Sequence, residues 1–317
     1  MAQNVGNKNA EAMFHLVDAV ERINFPGNEA EQIATDGDSY IKTVAKRFFK
    51  NKVAVVSLVI FIILVLTAVF ANQLAPHPRD VSVGRFQAAP YDNFYLGTDD
   101  IGRDVLSRLI HGTQVSMIVG LGSVLVYVVI GTTLGLISGY FGGVVDSVIM
   151  RITEAFMSFP FFMVILTLVT LLGSGLWVVT AVLGFLSWPT LCRLVRGQVL
   201  TLKKQDFVLA AVATGYSTPG ILFIHILPNV LSPILVNATF GIATAILTEA
   251  SLSFLGVGVQ RPRPSWGNIL SEAQSLRVLA YEPWRWVPAG ILIFVAVLAI
   301  NFIGDGLRQA IEGENKA

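Results

Sequence analysis

Apolar positions in this chain come in long blocks separated by polar stretches, not in the short alternation of a soluble domain. The first 40 residues are polar. Within them Met13, Leu16, Val17, Val20 and Ile23 recur at helical spacing until Pro26-Gly27 ends the pattern, which predicts a short amphipathic helix. Its polar face carries Glu11, Asp18 and Glu21, so it suits a surface or protein contact better than anionic lipid. The first apolar block covers 53–71, and at ~1.5 Å per residue it reaches roughly 28 Å, about one hydrocarbon thickness. Further membrane-length blocks are expected at 116–140, 177–191, 230–252 and 286–303, with another opening at 159–172 and closed by the turn Gly173-Ser174-Gly175. Residues 142–157 read as a short connecting loop.

These blocks predict an all-α integral membrane protein with six transmembrane helices. Its parts are a polar extension over 1–40, a first span and long polar segment over 41–113, a core over 114–304, and a tail over 305–317. Within the core, Gly131, Gly135 and Gly139 form a small-residue stripe at four-residue spacing, the pattern that lets two helix backbones approach closely.

Charge sets the orientation. Lys42, Lys46, Arg47, Lys50 and Lys52 precede the first block, and Arg193, Arg196, Lys203 and Lys204 follow the fourth. The positive-inside rule then places both termini in the cytoplasm. Arginines at 79, 85, 103, 108, 261, 263, 277 and 285 run against that rule in the expected outer segments, several of them near Asp80, Asp104 or Glu282. Only 14% of residues are charged and 54% are apolar, the balance of a bilayer protein. A net charge of +1 implies no nucleic-acid partner. One cysteine, Cys192, excludes an internal disulfide, and the four histidines show no metal-ligand spacing.

Enzyme signatures fail on inspection. Gly215 and Gly220 have the spacing of a phosphate-binding loop, but Ile221 and Leu222 stand where it needs Lys and Ser or Thr. Gly304-Asp305 has part of an intramembrane aspartyl protease pattern, with Phe302 where a glycine belongs. Glu249 is the one acid inside an expected span, where an ionised carboxylate costs about 2.5–3.5 kcal/mol. It therefore faces protein or a water-filled path, as a structural hydrogen bond or a transport group, with Asn237 and Asn301 the other polar candidates. The loop over 205–229 is different in kind. It holds a short helix with Ala210, Ala211 and Ala213, a break at Gly215, and Pro219 and Pro228 at expected helix starts. So much structure between two spans suggests a handle for a soluble partner.

That loop resembles the "EAA" coupling loop of ABC-transporter permease subunits, with Ala210, Ala211, Gly215, Leu227 and Pro228 at matching positions. Leu209 replaces the glutamate and His225 an isoleucine. Other stretches resemble the dipeptide, oligopeptide and nickel importer branch, closest to its "C"-type peptide permease: Leu96-Gly97-Thr98-Asp99, Gly102-Arg103-Asp104, Gly139-Tyr140-Phe141-Gly142-Gly143, Leu252-Ser253-Phe254-Leu255-Gly256, Pro264-Ser265-Trp266-Gly267 and Asn301-Phe302-Ile303-Gly304-Asp305-Gly306. The resemblance implies a type I ABC importer permease fold in the bacterial inner membrane. It implies a homologous permease, two ATP-binding subunits carrying ATP and Mg, an extracytoplasmic binding protein, and no cofactor or catalysis on this chain. It assigns ATPase coupling to Leu209, Ala210, Ala211, Gly215 and Pro228, and binding-protein contact to Arg261 and Arg263. A nickel or other small-solute importer, an ion-coupled secondary transporter and a non-transporting scaffold are the competing readings.

Overall fold

The computed structural model describes residues 37–313. The amphipathic helix expected around 13–23 lies outside them. Contacts divide the chain into Met1–Arg47 and Phe48–Ala317, so α1 (Gly37–Lys50) straddles the division. The second unit holds α2 (Lys52–Val69), α3 (Ala71–Leu74), α4 (Val105–Phe141), α5 (Gly143–Ser158), α6 (Phe161–Leu172), α7 (Leu176–Leu202), α8 (Asp206–Ala213), α9 (Thr218–Phe254), α10 (Trp266–Leu270), α11 (Leu276–Tyr281) and α12 (Val287–Glu312). No strand forms among the described residues, only two isolated bridges between residues 91 and 104.

Five of these helices are long and apolar enough to cross a membrane, and the α5–α6 pair is a sixth if its two halves form one span. That pair corrects the expected third span. Residues 142–157 are not a loop, because α5 is a helix of 16 residues. Pro160 denies the chain a backbone N–H there, and the axis turns 84° between α5 and α6. Alone, the 12 residues of α6 reach only about 18 Å, well short of a bilayer core.

Helix α4 starts eleven residues before the expected span. Asp104 caps it by accepting from the Ser107 N–H at 2.9 Å. The polar residues of its first turns, Arg108 and His111, are buried in protein rather than lipid, so hydropathy hid them. The boundary expected after residue 113 therefore falls inside one continuous helix.

The glycine stripe does what its spacing suggests. A methyl group at Gly135 would meet Val195 Cβ at 2.7 Å and the Cys192 carbonyl at 2.8 Å, both on α7. One at Gly139 would meet Val199 Cβ at 2.7 Å. Gly184 answers from α7, lying against Val126 and the Ser123 carbonyl of α4. This seam leads into a core that holds Trp188, Leu191 and Val195 together with Val208, Ile221 and Ile226. A second core joins α2, α9 and α12 through Leu64, Ile246 and Ala296.

Candidate coupling site

At one end of the bundle α7 runs out at Lys203, whose Nζ donates to the Gly139 carbonyl at 2.9 Å. Nearby, Arg196 of α7 grips Asp146 of α5 through both carboxylate oxygens, at 2.5 and 2.6 Å, and Ser138 donates to the same group. A bidentate guanidinium fixes orientation as well as distance, so the ends of α4, α5 and α7 form one rigid platform.

On it sits α8, with Asp206 in its first turn, where an acid favours the helix dipole. Val208 and Ala211 point inward and are buried, joining the core of Ile221, Leu222 and Ile226. The opposite face is bare: Leu209 and Val212 are each 52% exposed, and Phe207 is 42% exposed. Ala210 and Ala213 lie on the surface between them.

The break after α8 is a Schellman turn. The Tyr216 N–H donates to the Ala211 carbonyl and the Gly215 N–H to Val212, both at 3.1 Å. Gly215 makes this possible with φ of +81°, where a side chain would strain the backbone. Ser217 then caps the next helix, and Pro219 sits in its first turn.

Pro228 does not open the fifth span as expected, because the helix already runs from Thr218. Residues Ile221–Ile226 form a π-helical stretch, in which the Leu227 N–H reaches back five residues to Leu222. The widened turn sits just ahead of Pro228, whose ring would crowd the carbonyl of an ordinary α turn. His225, in the place of the family's isoleucine, packs its ring edge-on against Tyr216 at 4.9 Å. It thus closes the turn with an aromatic contact.

The polar residues expected along a path are separate. Glu249 is completely buried. Ser253 donates to its Oε1 at 2.6 Å and Ser116 to its Oε2 at 3.4 Å. The same two hydroxyl oxygens accept from the Val259 and Trp266 backbones, so the carboxylate secures the segment that follows α9. This is the hydrogen-bonded arrangement that the structural alternative expects. Asn237 lies twelve residues earlier, about 18 Å along the helix, beneath the Tyr127 hydroxyl. Asn301 is half-buried on α12 without a hydrogen bond among the described residues.

At the other end of the bundle, the long polar segments lock together through charge. Arg285 donates to Glu272 at 2.8 Å and to Glu282 at 2.5 Å, with all three side chains nearly buried. Arg103 holds Asp99 at 2.7 Å, and the buried Arg108 lies 3.5 Å from the same carboxylate. Burial pushes the Glu272 carboxyl above its ordinary range, and Arg285 and Arg108 pull it back. Arg261 reaches Glu272 at 3.5 Å and Asp100 at 3.7 Å while staying 46% exposed. Arg263 is exposed and without a side-chain partner among the described residues. The pairing runs across distant segments of the chain. Its signal was the excess of arginines against the positive-inside rule.

Comparison with known proteins matches this architecture. Residues 131–314 fit the model of the binding-protein-dependent transport system inner membrane component, and residues 39–96 that of the N-terminal TM domain of oligopeptide transport permease C. The chain is 36% identical over 317 residues to the oligopeptide transport system permease protein OppC of Haemophilus influenzae, covering 99% of this chain and 98% of that one. It is 38% identical to OppC of Bacillus subtilis, covering 90% and 93%. With the dipeptide transport system permease protein DppC of Alkalihalophilus pseudofirmus it shares 39% identity, over 86% and 89%. A chain of the MetNI methionine ABC transporter, solved in an inward-facing conformation, superposes with a TM-score of 0.52 at 22% identity, covering 64% of this chain and 96% of that one. That likeness concerns the fold. The chain belongs to the family of binding-protein-dependent transport system inner membrane components, as a multi-pass permease of the ABC importer type.

Proposed function

We infer that this chain is a permease subunit of an ATP-driven peptide importer. Its full-length similarity to oligopeptide and dipeptide permeases supports the substrate class. The observation that carries the mechanism is the bare apolar face of α8 on a rigid platform. An isolated helix of eight residues gains little by showing Leu209 and Val212 to water. Seated in the groove of an ATP-binding subunit, the same face is buried. Hydrolysis then belongs to the partner, and closure of two such partners moves this chain because ATP binds one state more tightly.

The end carrying α8 faces the cytoplasm, together with the N-terminus, in line with the lysine distribution. Arg261 and Arg263 face the opposite compartment, where a substrate-binding protein would land. A homologous permease completes the path. The proposal is tested by reconstituting the four-component complex in liposomes with the binding protein. Labelled peptide should accumulate only with ATP inside, and a photo-crosslinker at Leu209 should capture the ATP-binding subunit. Uptake by this chain alone, driven by an ion gradient and indifferent to ATP, would refute it.

A further inference from the structure

A cavity of about 400 Å³ opens where α5 and α6 part, between that bend and α4, α7 and α9. None of its lining side chains carries a charge at neutral pH. Phe156, Phe159, Phe161 and Phe240 supply aromatic surface. Polar groups come from α4, α7 and α9, and on α9 Asn237, Thr244 and Thr248 fall on one helical face at spacings of seven and four.

The hydrogen bonds of these groups are already sorted. Thr248 donates its hydroxyl proton to the Thr244 carbonyl at 2.8 Å, and Thr244 donates to Phe240 at 3.1 Å. Ser187 does the same toward Leu183 at 2.7 Å. Each hydroxyl has spent its one proton on its own helix, so what it offers the cavity is lone pairs. Asn237 has the complementary character. Its carbonyl oxygens attract the Tyr127 hydroxyl, and its side-chain Nδ2 has no partner among the described residues. Gly241 keeps the wall open there, since any side chain would strike the Tyr127 hydroxyl.

We propose that this cavity is a peptide way-station, in which Thr244, Thr248 and Ser187 accept from backbone N–H groups and Asn237 donates to a backbone carbonyl. The proposal rests on the peptide-permease reading and adds its selectivity rule. The subsite reads the amide backbone, which all peptides share. It takes apolar side chains on the phenylalanines and carries no fixed charge that would favour acidic or basic peptides. Transport is therefore permissive to sequence at this point, and a single charge placed here would make it selective.

The test introduces that charge after folding. Thr248→Cys and Thr244→Cys change little in volume and are assembled into the full complex with the binding protein. The cysteine is then modified with an anionic sulfonatoethyl or a cationic aminoethyl methanethiosulfonate, with unsubstituted complex as control because Cys192 is buried. Uptake of Ala-Glu-Ala, Ala-Ala-Ala and Ala-Lys-Ala is compared. A unit charge at close range in a partly wet cavity is worth on the order of tenfold or more. The anionic adduct should thus lower the acidic-to-basic uptake ratio about tenfold, and the cationic adduct should raise it. Equal effects on all three peptides, or no labelling of either cysteine during turnover, would overturn the way-station. Absence of uptake of any peptide by the unsubstituted complex would instead overturn the permease reading itself.

Discussion

The two ends of the bundle are built on opposite plans. At the arginine-rich end, Arg103, Arg108, Arg261 and Arg285 answer Asp99, Asp100, Glu272 and Glu282 within the chain. At the end carrying α8, the backbone is fully capped by the Schellman turn, yet Leu209, Val212, Phe223 and Ile224 are left bare. One end is held by charge pairs within the chain, and the other carries an exposed apolar helix face. On the proposed reading, the bare face of α8 is the surface that a partner completes.

The largest effect that would sharpen this contrast comes from Arg285→Ala. It leaves two nearly buried carboxylates with only the partly exposed Arg261 and Arg277, and loss of one partner of a buried pair costs about 3–5 kcal/mol. Unfolding of the purified permease by denaturant should show that loss, and a change below about 1 kcal/mol would mean the network is wetter than its geometry. Next is Gly135→Val on the α4–α7 seam. The added side chain must displace Val195, and such overpacking costs roughly 1–3 kcal/mol.

Leu209→Asp is expected to behave differently. The position is exposed, so stability should move by no more than about 0.5 kcal/mol. Coupled ATP hydrolysis and uptake should fall on the order of tenfold, the loss of about one good apolar contact at 1.4 kcal/mol. Uptake unchanged in that variant would remove the coupling role from α8. The smallest effect belongs to Arg277→Ala. Its pair with Glu282 is 3.2 Å long, but the arginine is 68% exposed, so under about 1 kcal/mol is expected. A large effect there would blur the distinction between buried and surface arginines on which the comparison rests.

Much of the fold could be read from the sequence where lipid or helix packing imposes a period. The spans and the Gly131–Gly135–Gly139 stripe are of that kind, and so is the break at Gly215, where a positive φ is demanded. Other features are three-dimensional bargains. The first turns of α4 looked polar because Arg108 and His111 interrupt the apolar run, although both are buried and Arg108 lies beside the Asp99 carboxylate. Helix α5 looked like a loop because Asp146 and Arg151 interrupt its apolar positions, although Asp146 is paired to Arg196 fifty residues away. Pro228 looked like a helix start because a π turn cannot be seen in a residue list. Within the candidate site, the resemblance assigned the coupling residues, but not that Ala211 faces inward while Leu209 and Ala210 face out.

Helix α9 has a mechanical meaning beyond its contacts. From Thr218, just past the turn at Gly215, to the buried carboxylate of Glu249 it covers 31 residues or about 46 Å. Pinned at Glu249 and packed with α8 at its start, it is a lever with its fulcrum at the far end. Asn237 lies about two-fifths of the way from fulcrum to handle, 12 residues against 31, counted from Thr218. A stroke of about 5 Å imposed at the handle would therefore reach the cavity wall as roughly 2 Å, the scale on which a hydrogen bond is made or broken.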